Sequence, residues 1–359
     1  MQIALKYFAL AMLGVFFLPT ARGDDDMNAF LRLLQTPPTG FQVNAPAIAS
    51  VAQWEKDRET HRKNWLDFLG PMATVRRSGE SYPAPQYEVI EEIEQEHFIR
   101  KKIRYSCEPG ETTQAFLLIP KNVTEPRPGV VVFHTTAKES YFQGAGLPEV
   151  SEKSFGLHLA NKGYVVLCPQ NHIWPSNDEP QLAYREEGAK FLTRNPENRG
   201  MARMLLDGQM AVDLLTSLPE VDAKRIGCIG HSLGAKVALY VAAFDERVVC
   251  SVSSEGGIGI EQSNWEADWY LGPKVKEPDF PLSHRELVAM IAPRAFLLLG
   301  GDASDGDASW PYIVAGLRAY RLYEDTARIG LYNHHKGHAV PPEAEQVIYR
   351  WFEMFLMGK

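Results

Sequence analysis

Cysteine is scarce, with four in 359 residues. Cys107, Cys168, Cys228 and Cys250 lie in or beside apolar stretches at no regular spacing, which excludes a disulfide-stapled scaffold and leaves four small buried hydrophobes. Positive charge is also in short supply, with 37 Lys and Arg against 45 Asp and Glu. No basic cluster interrupts that balance, so a nucleic-acid-binding surface is excluded and an acidic polymer is repelled at long range. Repeats and low-complexity segments are missing. So is any apolar run of the ~20 residues that a membrane-spanning helix needs.

The longest apolar run, Tyr7 to Leu18, follows Lys6 and precedes the small residues of Ala21-Arg22-Gly23. That order predicts a signal peptide over residues 1–23, cleaved before Asp24, and a secreted or periplasmic protein with no membrane contact afterwards. Asn122-Val123-Thr124 is a glycosylation sequon only in a host that glycosylates.

Residues 24–95 read as an N-terminal extension with a helix from Trp54 that stops at Gly70-Pro71 and a linker at Pro83-Ala84-Pro85. Having too few apolar residues for a core of its own, the extension is expected to pack on the main domain, residues 96–359. From His97 onward strands and helices alternate, and Val130-Val131-Val132-Phe133 is apolar at consecutive positions, as in a strand buried on both faces. The predicted fold class is α/β: a doubly wound, mostly parallel sheet with helices on both faces. Two irregular stretches, Gln170 to Glu197 and Gly256 to Pro281, leave the carboxyl ends of strands and are the expected pocket walls.

The chain is organised around Gly230-His231-Ser232-Leu233-Gly234, between a short apolar strand and an Ala-rich helix. A turn that tight needs glycine on both sides of the serine and pushes Ser232 out at the strand's end, which suits a nucleophile. A serine hydroxyl needs a base, and Asn333-His334-His335-Lys336-Gly337-His338 offers three histidines. His338 is the choice, since it precedes the last helix on a loop at the sheet's carboxyl edge; His334 is expected to end the strand. The cluster lacks the partners of a zinc site, and no metal is assigned.

The orienting acid comes from one of two loops. Asp302, Asp305 and Asp307 share the loop after the strand Ala295 to Leu299, and Asp305 is the first choice on loop geometry. Glu255, beyond the strand Val248 to Ser253, is the alternative. The oxyanion is expected to meet the N–H of Leu233 together with that of Thr135 or Thr136. Trp265, Trp269 and Tyr270 are candidates for stacking on a sugar ring, with lid packing as the plainer role.

The order Ser232, acid, His338 around G-x-S-x-G on an α/β alternation resembles the α/β-hydrolase superfamily from about His97 to the C-terminus. The strand ending in His134, the run Gly230 to Lys236, and Ile291-Ala292-Pro293-Arg294 resemble its dienelactone-hydrolase-like and acetyl xylan esterase-like branch. That resemblance implies carboxylic-ester hydrolysis through an acyl-enzyme, without a cofactor, on a small-molecule or polysaccharide ester. True dienelactone hydrolases carry a cysteine where Ser232 stands. Glucuronoyl esterases are similar in placing a lysine four residues after the serine, as Lys236 is, and an acid where Glu255 stands. They have an arginine directly after the serine, where this chain has Leu233. Lys236 is accordingly a candidate substrate contact, or else an exposed helix lysine. A prolyl-oligopeptidase-like peptidase and a non-catalytic binding protein on the same fold are the remaining alternatives.

Overall fold

A computed structural model of the chain describes residues 24–39, 41, 48–76, 82–108, 110–136, 140–173, 180–323 and 326–358. The expected signal peptide, residues 1–23, lies outside the described residues. The strands are β1 (Tyr87–Glu94), β2 (Phe98–Ser106), β3 (Thr112–Pro120), β4 (Arg127–Phe133), β5 (Val165–Pro169), β6 (Val221–His231), β7 (Val248–Ser254), β8 (Ala295–Gly300) and β9 (Ile329–Asn333). The α-helices are α1 (Asp24–Leu34), α2 (Val51–Leu69), α3 (Ser140–Gly144), α4 (Phe155–Asn161), α5 (Pro180–Arg194), α6 (Gly200–Ser217), α7 (Leu233–Phe244), α8 (His284–Ile291), α9 (Trp310–Tyr320) and α10 (Pro342–Phe352).

Among the described residues all nine strands join one sheet in the order β1-β2-β3-β5-β4-β6-β7-β8-β9. From β5 to β9 every neighbouring pair is parallel; β1, β2 and β3 add an antiparallel edge. β4 shows why helices must cover both faces. Val131 and Phe133 enter one apolar cluster, with α2, α6, α7, α8 and α9, while Val130 and Val132 enter a second, with α1, α4 and α10. A strand without a polar face has no stable place at the surface of a sheet.

From β4 the chain steps to β5 on one side, then returns to place β6 on the other. That reversal opens a crevice at the carboxyl ends of β4 and β6, where an open α/β sheet holds its ligands. His134 to Thr136 leave β4 there and Ser232 leaves β6 there.

Four elements, α1, α3, α5 and β1, go beyond the sequence reading. β1 falls inside the 24–95 extension, so those residues contribute an edge strand to the main sheet as well as helices. α5 stands inside the stretch expected to be irregular.

The extension is tied to the sheet at two further points. Trp65 of α2 is fully buried, edge-on to Tyr240 at 5.8 Å and stacked on His284 at 5.3 Å, with its indole N–H on Glu286 at 2.9 Å. Gln35, just past α1, donates to the carbonyls of Ala327 and Ile329 at 2.6 and 2.8 Å, which blunts the β9 edge. Trp65→Ala is expected to cost about 3 to 5 kcal/mol in denaturant unfolding. The transition should stay single; a second one would mean that the extension folds apart from the sheet.

Candidate functional site

The turn between β6 and α7 is as tight as its two glycines require. A Cβ on Gly230 would lie 2.1 Å from the Gly234 carbonyl, and one on Gly234 would lie 2.1 Å from the carbonyl oxygen of Phe133. Between them Ser232 sits at φ 59°, ψ −116°, a conformation that L residues rarely adopt and that persists only where surroundings over-determine it. Here the Ser232 N–H donates to the Ser254 carbonyl at 2.8 Å, and the Ser232 carbonyl accepts from Ala235 at 3.1 Å. Leu233, at the helix start, has no intrahelical acceptor for its N–H, and the helix dipole points its positive end the same way.

The imidazole arrives from the far end of the chain. His338 Nδ1 lies 3.1 Å from Glu255 Oε2, and its ring centroid is 4.5 Å from that of His231, the residue before Ser232. With Nδ1–H donating to the carboxylate, Nε2 is the acceptor nitrogen of the ring.

Glu255 is the acid brought to His338. It follows β7 at φ 53°, is 1% exposed, and its carboxylate also accepts from the N–H groups of Gly301 and Ser304, the latter at 2.8 Å. Asp305, the first choice on sequence, is used elsewhere. Its oxygens take the N–H groups of Gly257 and Ile258, both at 2.7 Å, and the Ser309 hydroxyl at 3.0 Å. The loop after β8 turns back through Gly301 and Asp302, whose N–H groups both reach the Asp305 carbonyl, so Asp305 points under the Glu255 loop rather than at the base. Asp302 holds Asn333 and His335, and Asp307 holds Asn333, at the surface.

Lys236 and Trp265 are also corrected. Lys236 is 3% exposed: its ammonium donates to the Gly256 carbonyl at 2.5 Å and to Ser263 Oγ at 2.7 Å. Burial pushes it down to about 7, against the pull of Asp305 and Glu266. Trp265 is buried with its indole N–H on the Gly257 carbonyl at 2.7 Å, and so supports the loop from below. Trp269 does face a cavity. An open cleft of about 830 Å³ is lined by Thr136, Tyr184, Arg185, Asn264, Glu266 and Trp269, which joins the loop after β4 to the irregular stretch after β7.

Three residues that sequence reading did not single out hold this edge together. His134 Nε2 accepts the Asn171 N–H at 2.8 Å, so Nδ1 carries the proton and gives it to the Thr135 carbonyl at 2.6 Å. His284 does the same for the other loop, with Nε2 on the Tyr240 hydroxyl at 2.9 Å and Nδ1 donating to the Ile258 carbonyl at 2.7 Å. The Tyr184 hydroxyl donates to the Thr136 carbonyl. Nothing local could have found them, because Tyr184 and His284 act on segments distant in the chain and the His134 ring, which braces the adjacent Thr135, is oriented by the distant Asn171. All four cysteines are free and buried.

Comparison with known proteins agrees with this architecture. The model of the family described as "Dienelactone hydrolase family" matches residues 113–277. A Bacillus subtilis (strain 168) protein named "Putative hydrolase YtaP" is 27% identical over 256 residues, covering 68% of this chain and 80% of that one. Among solved structures, a glucuronoyl esterase from Solibacter usitatus superposes with a TM-score of 0.62 at 16% identity, over 87% of this chain and 98% of that one. A structure titled "putative acetyl xylan esterase", from Bacteroides fragilis, gives 0.63 at 16%, over 92% and 89%. The fold is therefore that of the α/β-hydrolases, as the sequence pattern predicted. At such identities the structural likeness carries the fold alone.

Burial holds His134 down to about 4 and His284 to about 3, against an ordinary 6.5. The unfolded chain therefore binds protons below 6.5 that the folded chain refuses. Stability is full above that pH and is lost as pH falls toward 4. His134 alone is expected to cost about 2 to 3 kcal/mol between pH 6.5 and 4.5, at ~1.4 kcal/mol per pH unit. Denaturant unfolding at the two pH values measures it; equal stability would mean that His134 keeps a counter-charge when buried.

Proposed function

We propose that this chain, an α/β-hydrolase by fold with the dienelactone hydrolase family matched across its centre, is an exported serine carboxylic-ester hydrolase acting on acyl esters of carbohydrate. The observation that carries the reading is the His338–Glu255 contact lying against His231, the residue that precedes Ser232 in the elbow. Ser232 is the nucleophile, His338 the general base and Glu255 the orienting acid, in the place first given to Asp305.

His338 Nε2 takes the Ser232 Oγ proton as that oxygen bonds to the ester carbon. The carbonyl oxygen becomes an oxyanion held by the Leu233 N–H and one from Thr135 or Thr136. The intermediate collapses, His338 returns the proton to the departing alcohol oxygen, and the acyl group stays on Ser232. Water, deprotonated by the same imidazole, then adds to the acyl carbon; collapse frees the acid and restores Ser232. Glu255 holds the imidazole tautomer throughout and balances the imidazolium that forms twice.

Support for a carbohydrate ester comes from the cleft, which is large enough for a sugar, has Trp269 and Tyr184 in its wall, and meets the site through Thr136, while Ser232 and His338 lie outside its lining. A glucuronoyl-type esterase is the second reading, favoured by the acid at the end of β7. Against it stand Leu233 after the serine and a Lys236 withdrawn from the cleft.

Ser232→Ala is expected to abolish both ester hydrolysis and labelling by a fluorophosphonate. Glu255→Gln should lower kcat by about 10³- to 10⁴-fold with little change in KM. Asp305→Asn should cost stability and less than about tenfold in kcat; an equal kcat loss from a well-folded Asp305→Asn would return the acid role to that residue. Acetylated xylan and a methyl glucuronate ester, assayed beside p-nitrophenyl acetate, separate the two substrate readings. Export predicts a mature protein beginning at Asp24, which intact mass measures.

A further inference from the structure

We infer that Lys236 is a positioning residue for this reaction, its buried ammonium fastening the loop that starts at Glu255 and so keeping that carboxylate against His338. The inference rests on the esterase reading above and deepens it.

Lys236 lies one helical turn beyond Ser232 on α7, every residue of which is buried. An aliphatic side chain would fill that position at no electrostatic cost, whereas a buried ammonium loses several kcal/mol of hydration unless its surroundings replace it. The surroundings replace part of it, which leaves the ammonium held down at about 7. The Gly256 carbonyl and Ser263 Oγ accept from it, and the Trp265 and Tyr270 rings lie beneath it at 4.2 and 5.2 Å. Asp305 and Glu266 supply the nearest negative charge.

What those contacts hold is specific. Gly256 immediately follows Glu255, and Glu255 has the left-handed φ of 53° that a non-glycine residue adopts only under constraint. The loop rests directly on α7, since a Cβ on Gly256 would come within 2.8 Å of Ala235 Cβ. The backbone polar groups of residues 256–258 are then taken one by one: Lys236 holds the Gly256 carbonyl, Asp305 and Trp265 the N–H and carbonyl of Gly257, and Asp305 and His284 those of Ile258. On the carboxyl side of Glu255 the Lys236 bond is the first of these fastenings; on its other side the Glu255 N–H donates to the Leu299 carbonyl at 2.9 Å. At 3% exposure, roofed by Ser263 and floored by two aromatic rings, its ammonium has no opening toward a substrate.

The test is Lys236→Met, which keeps the length of the stem and removes the charge and donors. On p-nitrophenyl acetate kcat should fall about 10- to 100-fold with KM within about threefold, because a misplaced orienting group impairs the chemical step and not binding. A crystal structure of the variant should show the Glu255 carboxylate withdrawn from His338. Ser263→Ala removes one acceptor while leaving the lysine, and should lose kcat in the same sense by a smaller factor; it decides the matter if Lys236→Met does not fold. The inference is overturned by a Lys236→Met structure that retains the Glu255–His338 contact, by a rise in KM confined to sugar esters, or by Ser263→Ala with wild-type kcat. The crystallographic arm is independent of turnover. If the wild type cleaves no ester, the esterase reading fails by itself, and the place of Glu255 in the variant still decides the role of Lys236.

Discussion

The arrangement depends on one buried carboxylate. Glu255 bridges three loops at the carboxyl edge of the sheet: its own after β7, the β8 loop through the N–H groups of Gly301 and Ser304, and the β9 loop through His338. Taking an ionised group this far from water costs several kcal/mol, and donors on both oxygens are what make it tolerable. The β8 and β9 loops are also laced directly, with the His334 and Gly337 N–H groups on the carbonyls of Gly300 and Gly301. A Cβ on Gly301 would stand 2.0 Å from the Gly337 carbonyl oxygen, so the approach leaves no room for a side chain. His338 is half exposed, yet its backbone is fixed from the side away from solvent.

The sheet order decides which loops can meet. Because β6, β7, β8 and β9 are sequential parallel neighbours, the four loops at their carboxyl ends lie in a row, and Ser232, Glu255 and His338 come from the first, second and fourth. The third loop carries Asp305 and ends up as mortar between its neighbours. The loop after β4 completes the site from the other flank, braced by a neutral His134 on Thr135 and by Tyr184 on Thr136. An acid at either strand end could in principle orient the same imidazole. What selects Glu255 is its left-handed backbone and the N–H groups waiting for its oxygens.

That is also why the elbow was legible in the sequence, while the choice between Asp305 and Glu255 was not. The demand for glycine at 230 and 234 is local: each would collide within a few residues or with the adjacent strand, and the pattern of small residues records it. The orientation of a loop carboxylate is set by hydrogen bonds to residues some fifty positions away, which leave no local trace. β1 escaped notice because nearly all of it is exposed, so Tyr87-Glu88-Val89-Ile90 carries no buried face to be read. Lys236 is different, because the signal was present. A helix apolar on every side, as Leu233 to Phe244 is, must be buried on every side, and a lysine inside it is buried with the rest.

The charges at this edge leave a usable remainder. Asp305 and Glu255 repel each other, and that repulsion adds to burial in pushing the Asp305 carboxyl up, while backbone N–H groups pull it down. Lys236 is drawn first to Asp305. Lys236 and Asp305 thus act on each other beneath the loop, while Glu255 contacts the imidazole of His338. His284 and His134, held neutral by burial, add no positive charge to oppose it. In the proposed reaction Glu255 is the carboxylate that balances the imidazolium at His338. The buried polar cluster under residues 256–258 thus keeps Asp305 engaged with the Gly257 and Ile258 N–H groups and leaves Glu255 as the carboxylate in contact with His338.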